Sequence, residues 1–354
     1  QDPGDNLDLI NGYALADVDL KAVILDITEA FRKDTADHPT LWKDPRGPRE
    51  AGIIPVEQLN YIFNRKVKYA IGPVDLMQSE TDEMRNTPSY YNGVELFLET
   101  LKETDKPLEV ISFGSARVIA VAWNRDPQLL MQKISRIHLC AGTAASKYEM
   151  GSDAGANMIP GGEWNVSLDV FAFTRLLRSP LPIALYPGAG NEGGFVKDPN
   201  NSYWKLKDMS FLRAMDPRLQ RYLDFAFGKR MPYDFLRAMD KGQPYTNPAD
   251  IQFKEFHVWE SAVWIEVTDR VLIRDAHRGF KLVGKEAVSP SDHVLESGLR
   301  PCKLTEIRDD GRFEFEYAKG PSRITIYFRA NPEENEEALN QVIPELFKSY
   351  SPGK

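Results

Sequence analysis

Apolar residues in this chain gather in short blocks, and the spacing within each block predicts its element. The run "KAVILDI" is apolar between charges and predicts a buried strand over 21–27, preceded by a helix from Leu9 to about Ala16. Residues 29–66 read as a loop and a helix, 67–72 as a second short strand, and 91–103 as a helix leading to a strand at 108–114. Helices over 117–123 and 127–132, a strand in "ISRIHLCAG", a helix over 165–177 closed by Ser179-Pro180, and a strand in "LPIALYP" continue the alternation. Strands alternating with helices over two hundred residues predict an α/β fold with an open, mostly parallel sheet flanked by helices. The tail changes texture. "FHVWESAVWIEV" at 256–267 reads as a helix, whereas "KLVG", "RFEFEYA" and "RITIYFRA" alternate in period two, predicting a small antiparallel addition near the C-terminus. A terminal amphipathic helix starts at Asn331-Pro332. No Gly/Ser linker interrupts the chain, so residues 1–354 read as one domain. The hexapeptide "FLRAMD" occurs at 211–216 and 235–240, and two copies imply paired helices of similar pattern rather than a solenoid.

Composition narrows the function without choosing it. A net charge of −8 without basic runs argues against a nucleic-acid partner or an anionic membrane surface. No apolar run approaches a transmembrane span, and no signal peptide is visible, which leaves the compartment open. Two cysteines, Cys140 and Cys302, are too few for a disulfide scaffold or a thiolate metal cluster. The partner is left open by composition.

The chemistry-bearing stretches are few. Gly188, Gly190 and Gly193 stand in G-x-G-x-x-G spacing after a predicted strand, but "FVKDPNNSYW" follows where a phosphate-binding helix would have to start. A mobile glycine loop beside a pocket is the better reading. The five histidines form no metal pattern; His138 lies in an apolar strand and reads as a hydrogen-bonded core residue. Two stretches are left. The opening "QDPGDNLDL" brings Asp2, Asp5, Asn6 and Asp8 together around a Pro-Gly turn, with Asp8 able to cap the helix at Leu9. Its spacing excludes an EF-hand, whose glycine and closing glutamate would fall at Leu7 and Tyr13. In "GANMIPGGEWNVSLD", Asn157, Glu163 and Asn165 cluster between a strand and a helix, suited to the vicinal hydroxyls of a sugar. By residue type alone, the favoured reading is that Asn165 caps the following helix, with Glu163 solvated.

Taken together, these stretches resemble the inosine–uridine nucleoside hydrolase superfamily across the whole chain. "DPGDNLDL" is similar to the family's Asp-x-Asp-Pro-Gly-x-Asp-Asp loop, and "KYAIG" and "ISRIHLCAG" to two of its strands. The closest likeness is "NMIPGGEWNVSLDVFAFTRLLRSPLPIALYP", which follows the family's Asn-x5-Glu-Phe-Asn segment, its next helix and its "LPITLVP" strand. The resemblance implies a first strand upstream of Gln1 and a calcium ion at the carboxyl edge of the sheet, holding ribose hydroxyls and a water. It implies Asp2 as calcium ligand and base, Asp8 as a ribose-hydroxyl binder, Arg117 as donor of a backbone carbonyl to calcium, and Asn157, Glu163 and Asn165 as sugar binders. Two departures stand out. Leu9 occupies the place of a calcium-binding aspartate, and the family's late His-Asp pair falls on Val258-Trp259 or on Trp259-Glu260. Such a site binds calcium poorly unless Asp5, Asn6 or Glu260 compensates, and Asp26 or Glu29 stands where an asparagine is expected. The expected function is hydrolysis of a glycosidic bond of a ribose-like or other sugar. Asp2 is then the base, Asp8 or Asp5 the charge stabiliser, and His257 or Glu260 sits near the leaving group. Trp164, Trp259 and Trp264 are able to stack on a sugar or base, with core packing the alternative for Trp264. The other expectation is a non-catalytic sugar or nucleoside binder on the same fold.

Overall fold

The computed structural model describes residues 3–28, 50–144, 163–190, 192–228, 234–241, 255–275 and 279–352. Its centre is a sheet in which β3 (Leu108–Ser112), β4 (Ile134–Leu139), β5 (Ile183–Leu185) and β13 (Ile324–Arg329) lie side by side and parallel. On the far side of β13 the sheet turns antiparallel, through β11 (Ser297–Ile307) to the edge strand β12 (Phe313–Tyr317). "RITIYFRA" thus alternates like an antiparallel strand because one neighbour, β11, is antiparallel, while its other edge completes the parallel core. A separate parallel pair, β1 (Ala22–Leu25) and β2 (Lys68–Ile71), stands apart from this sheet, as does an antiparallel group of β8 (Arg270–Asp275), β9 (Gly279–Gly284) and β10 (His293–Val294).

Period-two alternation sorts the central strands onto two faces. Ile137, Leu139, Ile183, Leu185, Ile324 and Ile326 pack beneath α4 (Arg117–Arg125) and α7 (Val170–Arg178). Cys140, Ala184, Tyr186 and Tyr327 face the other way, against Ala262 and Val263 of α9 (Ser261–Val267). His138 shares that second face as a fully buried histidine, its Nδ1 3.0 Å from the Tyr186 hydroxyl. A second core joins α1 (Pro3–Ala14), α8 (Pro217–Gly228), β6 (Trp204–Leu206) and α10 (Pro332–Ser349), where Ile10, Trp204, Tyr222 and Leu339 are buried. No helix among the described residues is long and apolar enough to cross a membrane.

Four elements differ from the pattern-based expectation. The first helix begins at Pro3 and not near Leu9, because proline is preorganised for a first helical position and Asp5 favours the first turn. From Pro3 the acidic opening is therefore helix, and Asp5 and Asp8 lie three residues apart along one side of it. The block at 256–267 is a strand, β7 (Phe256–Val258), followed by α9; pairing with β6 draws the first three residues out of helix. The helix expected over 165–177 is two, α6 (Trp164–Leu168) and α7, divided where Asp169 turns to cap α7 through Ala172 N. Each "FLRAMD" copy forms a 3₁₀ turn, the first against α10 and the second against α8.

Candidate active site

In an open α/β sheet, ligands gather at the carboxyl ends of the strands. Here β4 runs out into Cys140-Ala141-Gly142, and β5 into Tyr186-Pro187-Gly188. The two turns are tied together by a bond from Gly188 N to Gly142 O (3.0 Å). Gly142 is required: its φ of +100° and the neighbouring Phe313 and Phe173 rings leave no room for a Cβ.

Glu163 seals this junction. It caps α6, accepting from Asn165 N on Oε1 (3.1 Å) and from Val166 N on Oε2 (3.3 Å), and Oε2 also accepts from Gly142 N (2.9 Å). Burial pushes its carboxyl up to about 7, although the backbone N–H groups pull the other way. The cap is thus Glu163 and not Asn165, and it is buried instead of solvated. Asn165 points its amide into the turn as well, donating from Nδ2 to Cys140 O (2.7 Å). Trp164 between them is half exposed.

Raised above its unfolded value of 4.5, the Glu163 carboxyl adds stability that is complete below pH 4.5 and is lost as pH rises through about 7. Over that window the loss is about 3 kcal/mol. Thermal unfolding followed from pH 4.5 to 8 is expected to fall more steeply in the wild type than in Glu163→Gln, which has no proton to release there.

The acidic opening reaches the same place from the other side. Asp8 is buried in α1; Asn11 Nδ2 approaches its Oδ1 (3.5 Å), and Asn11 is held in turn by the Tyr350 hydroxyl (2.6 Å). An apolar cavity walled by Leu7, Trp204, Val258, Trp264 and Phe347 lies against Asp8. That burial, and then the charges of Glu260 and Asp5, hold the Asp8 carboxyl well above the usual carboxylate range, with Trp264 and Asn11 opposing. The buried Cys140 thiol, at the end of β4, feels Glu260, Asp8, Glu163 and Asp5 together and is likewise pushed up, first by burial. Carboxyl groups from three separate segments, Asp5 and Asp8, Glu163, and Glu260, thus act on one thiol. Trp264 is a core residue in contact with this cluster.

His257 and Trp259 lie on a neighbouring surface. The Tyr203 hydroxyl is 2.9 Å from His257 Nδ1, and burial followed by the Lys205 charge lowers the imidazole below its ordinary range. Trp259 donates its indole N–H to Gly188 O (3.0 Å), and its backbone N–H to Glu260 Oε2 (3.0 Å). Arg117 is the first residue of α4, and its side chain is fully buried. Asp2 and Asn157 lie outside the described residues, as does Glu29. Asp26 accepts Ser115 N (2.6 Å) and lies 3.6 Å from Arg117. Asn11, Phe195 and Tyr203 complete the surroundings without any motif to mark them; the one trace is the aromatic residue that ends the glycine-rich run "GAGNEGGF".

The calcium implied by the sequence resemblance was weighed against this donor set. Among the described residues no three carboxylate, imidazole or thiolate groups converge closely enough to hold a metal ion. Leu9 packs instead with the apolar cluster of Leu25, Ile27 and Ile71. Leu9 offers that ion no donor, and Asp2 lies outside the described residues.

The fold is an open α/β one, with the buried carboxyls of Asp8 and Glu163 near its strand ends. No family profile matches the chain. It is 27% identical over 194 residues to the pyrimidine-specific ribonucleoside hydrolase RihA of Salmonella schwarzengrund, a match covering 52% of this chain and 57% of that protein. A 98-residue stretch is 31% identical to the protein of the same name in Enterobacter sp. strain 638, covering 28% of each. The chain thus spans little more than half the length of the curated relatives it matches. Among solved structures, the purine-preferring ribonucleoside hydrolase of Gardnerella vaginalis shares the fold, with a TM-score of 0.53 at 14% identity over 98% of this chain and 96% of that one. The chain thus has the fold of that ribonucleoside hydrolase and a partial sequence likeness to RihA.

Proposed function

We propose that this protein hydrolyses a glycosidic bond of a ribose-like or other sugar substrate, with carboxyl groups carrying the chemistry. The observation that carries this reading is the buried Asp8 carboxyl beside a cavity, kept from ionising freely by burial and then by Glu260 and Asp5. Groups whose environments push their ionisation apart mark acid–base sites. In this reading the sugar lies over the Gly142 and Gly188 turns, with Glu163 and Asn165 shaping its seat. Asp5 stabilises the positive charge that develops on the sugar ring as the bond breaks, and Asp8, its carboxyl raised, keeps a proton beside it. Asp2 takes the proton of the attacking water, and Glu260 lies on the leaving-group side. Kinship with ribonucleoside hydrolases over half the chain supports the bond type.

The test is reducing-sugar release from a panel of ribonucleosides and aryl glycosides. Asp5→Asn and Glu260→Gln are each expected to lower the rate on the best substrate by about tenfold or more. Undiminished release by both would remove the carboxyl cluster from the mechanism. Saturable binding without any release would favour the non-catalytic binder.

A further inference from the structure

The helix that follows Glu163 is pinned at both of its ends. α6 is five residues long, too short to hold its geometry unaided. At its start, Glu163 and Asn165 tie it to the β4 turn through Gly142 N and Cys140 O. At its finish, the Leu168 carbonyl takes two donors, Arg117 Nη2 (3.0 Å) and Thr28 Oγ1 (3.2 Å). Nη2 also donates to Thr28 Oγ1 (2.8 Å), so Arg117, Thr28 and Leu168 close a triangle. The next residue, Asp169, receives Arg117 Nε (2.6 Å) and Met77 N (3.0 Å). The remaining donor of the fork, Nη1, holds the carbonyls of Ile27 and Pro73, just past β1 and β2. One end of α6 is thus referenced to β4, and the other to the ends of β1 and β2.

Net stability does not account for this choice of groups. A buried ion pair returns little beyond its desolvation cost, and apolar side chains of like volume often serve as well. What a planar guanidinium adds is five donors in fixed directions, and hence one fixed geometry. The geometry fixed here is that of α6. Asn165 lies three residues before Leu168, about 4.5 Å along the helix axis and less than one turn away. A shift at Leu168 therefore reaches Asn165 within the same turn. Thr28 makes the hold two-sided, since its one hydroxyl accepts from Arg117 and donates to Leu168 O.

We propose that Arg117 and Thr28 are positioning residues for the hydrolysis, setting the tilt of α6 and with it the seat that Glu163 and Asn165 offer the sugar; this rests on the hydrolase reading above. Neither side chain touches the sugar in this arrangement, for Arg117 is fully buried and Thr28 is nearly so. The carboxyls assigned to the chemistry, Asp5, Asp8 and Glu260, belong to α1 and the start of α9, which the fork does not bond. Loosening the fork therefore weakens the hold on the sugar and leaves the bond-breaking step largely intact. An interaction made equally with the bound substrate and the transition state shows in KM and not in kcat.

The test compares wild type, Thr28→Val, Thr28→Ser and Arg117→Lys on the best glycoside of the panel, and follows amide hydrogen exchange over residues 163–169 by mass spectrometry. Valine keeps the shape of threonine without the hydroxyl, and serine keeps the hydroxyl. Thr28→Val is expected to raise KM by about fivefold or more with kcat within about twofold, and to speed exchange in α6 by about tenfold. Its Tm is expected to fall by about 4 °C or less. Thr28→Ser is expected to return KM and exchange to within about twofold of wild type. Arg117→Lys, which gives up more of the fork, is expected to raise KM further; if it does not fold, the two Thr28 variants decide alone. Faster exchange with an unchanged KM would overturn the positioning role and leave the hydrolase reading standing. Unchanged exchange in α6, or a KM raised as much by serine as by valine, would overturn it as well. No cleavage by the wild type would remove the hydrolase reading and the positioning role with it.

Discussion

Replacing Arg117 by methionine is expected to lower the stability of the protein by about 3–5 kcal/mol, the cost of stripping one partner from a buried ion pair. All five guanidinium N–H groups are used. Nε donates to Asp169 Oδ2 (2.6 Å), Nη1 to the carbonyls of Ile27 (3.1 Å) and Pro73 (2.8 Å), and Nη2 to Thr28 Oγ1 (2.8 Å) and Leu168 O (3.0 Å). One side chain thus joins the segments that follow β1 and β2 to the break between α6 and α7. Asp169 is 1% exposed, and burial raises its carboxyl despite Arg117, so the pair is held against a real desolvation cost. Methionine would leave that carboxyl unpaired and four further acceptors without their donor. Arg117→Lys has three donors on one nitrogen and cannot span this fork, so it is expected to recover only part of the loss. Urea unfolding of both variants checks the order. If Arg117→Met falls by less than about 1 kcal/mol, the pair is not the clamp described. The double variant Arg117→Met with Asp169→Leu should lose less than the sum of the single changes, since the stranded charge is then gone.

The parts of this fold that were legible in the sequence are those decided by burial within one segment. Ala22–Leu25, Ile134–Leu139 and Ile183–Leu185 are apolar runs because parallel strands are covered on both faces, and Asn331-Pro332 marks the start of α10 by local chemistry alone, with Asn331 capping Glu334 N. Elements decided by a distant partner were not legible. Phe256–Val258 differs from the helix after it only because Trp204–Leu206 pairs with it. Asp169 breaks a continuous helical pattern because Met77 N and Arg117 also need its carboxyl. The candidate site divides in the same way. The spacing of Glu163 and Asn165 singled out their loop, but their bonds to Gly142 N and Cys140 O exist only once β4 delivers that turn. Nothing in "GSARVIA" shows that the Arg117 side chain folds back beneath the strands. The two aromatic residues Phe195 and Tyr203 meet His257 only across the fold.

Asp8→Asn is expected to lower glycoside hydrolysis by about 10²–10⁴-fold, the usual loss when a positioned acid–base group is removed. The same substitution is expected to raise thermal stability near pH 8. A carboxyl whose folded value is raised adds stability below its unfolded value of 3.8 and loses it as pH rises through the folded value. At pH 8 the wild type therefore carries a buried carboxyl under pressure to ionise beside Glu260 and Asp5, and asparagine is free of that strain. The amide keeps the size of the side chain, and its oxygen can take the place of Oδ1 beside Asn11. The stability gain should shrink as pH falls toward 4, where both side chains are neutral. The two outcomes together separate function from architecture. A carboxyl kept for structure destabilises the protein when it is replaced, whereas one kept for chemistry at the expense of stability leaves a firmer, inactive protein. An Asp8→Asn variant that is less stable at pH 8, or that retains full hydrolytic rate, would take Asp8 out of the site and return the acidic opening to the role of a helix surface.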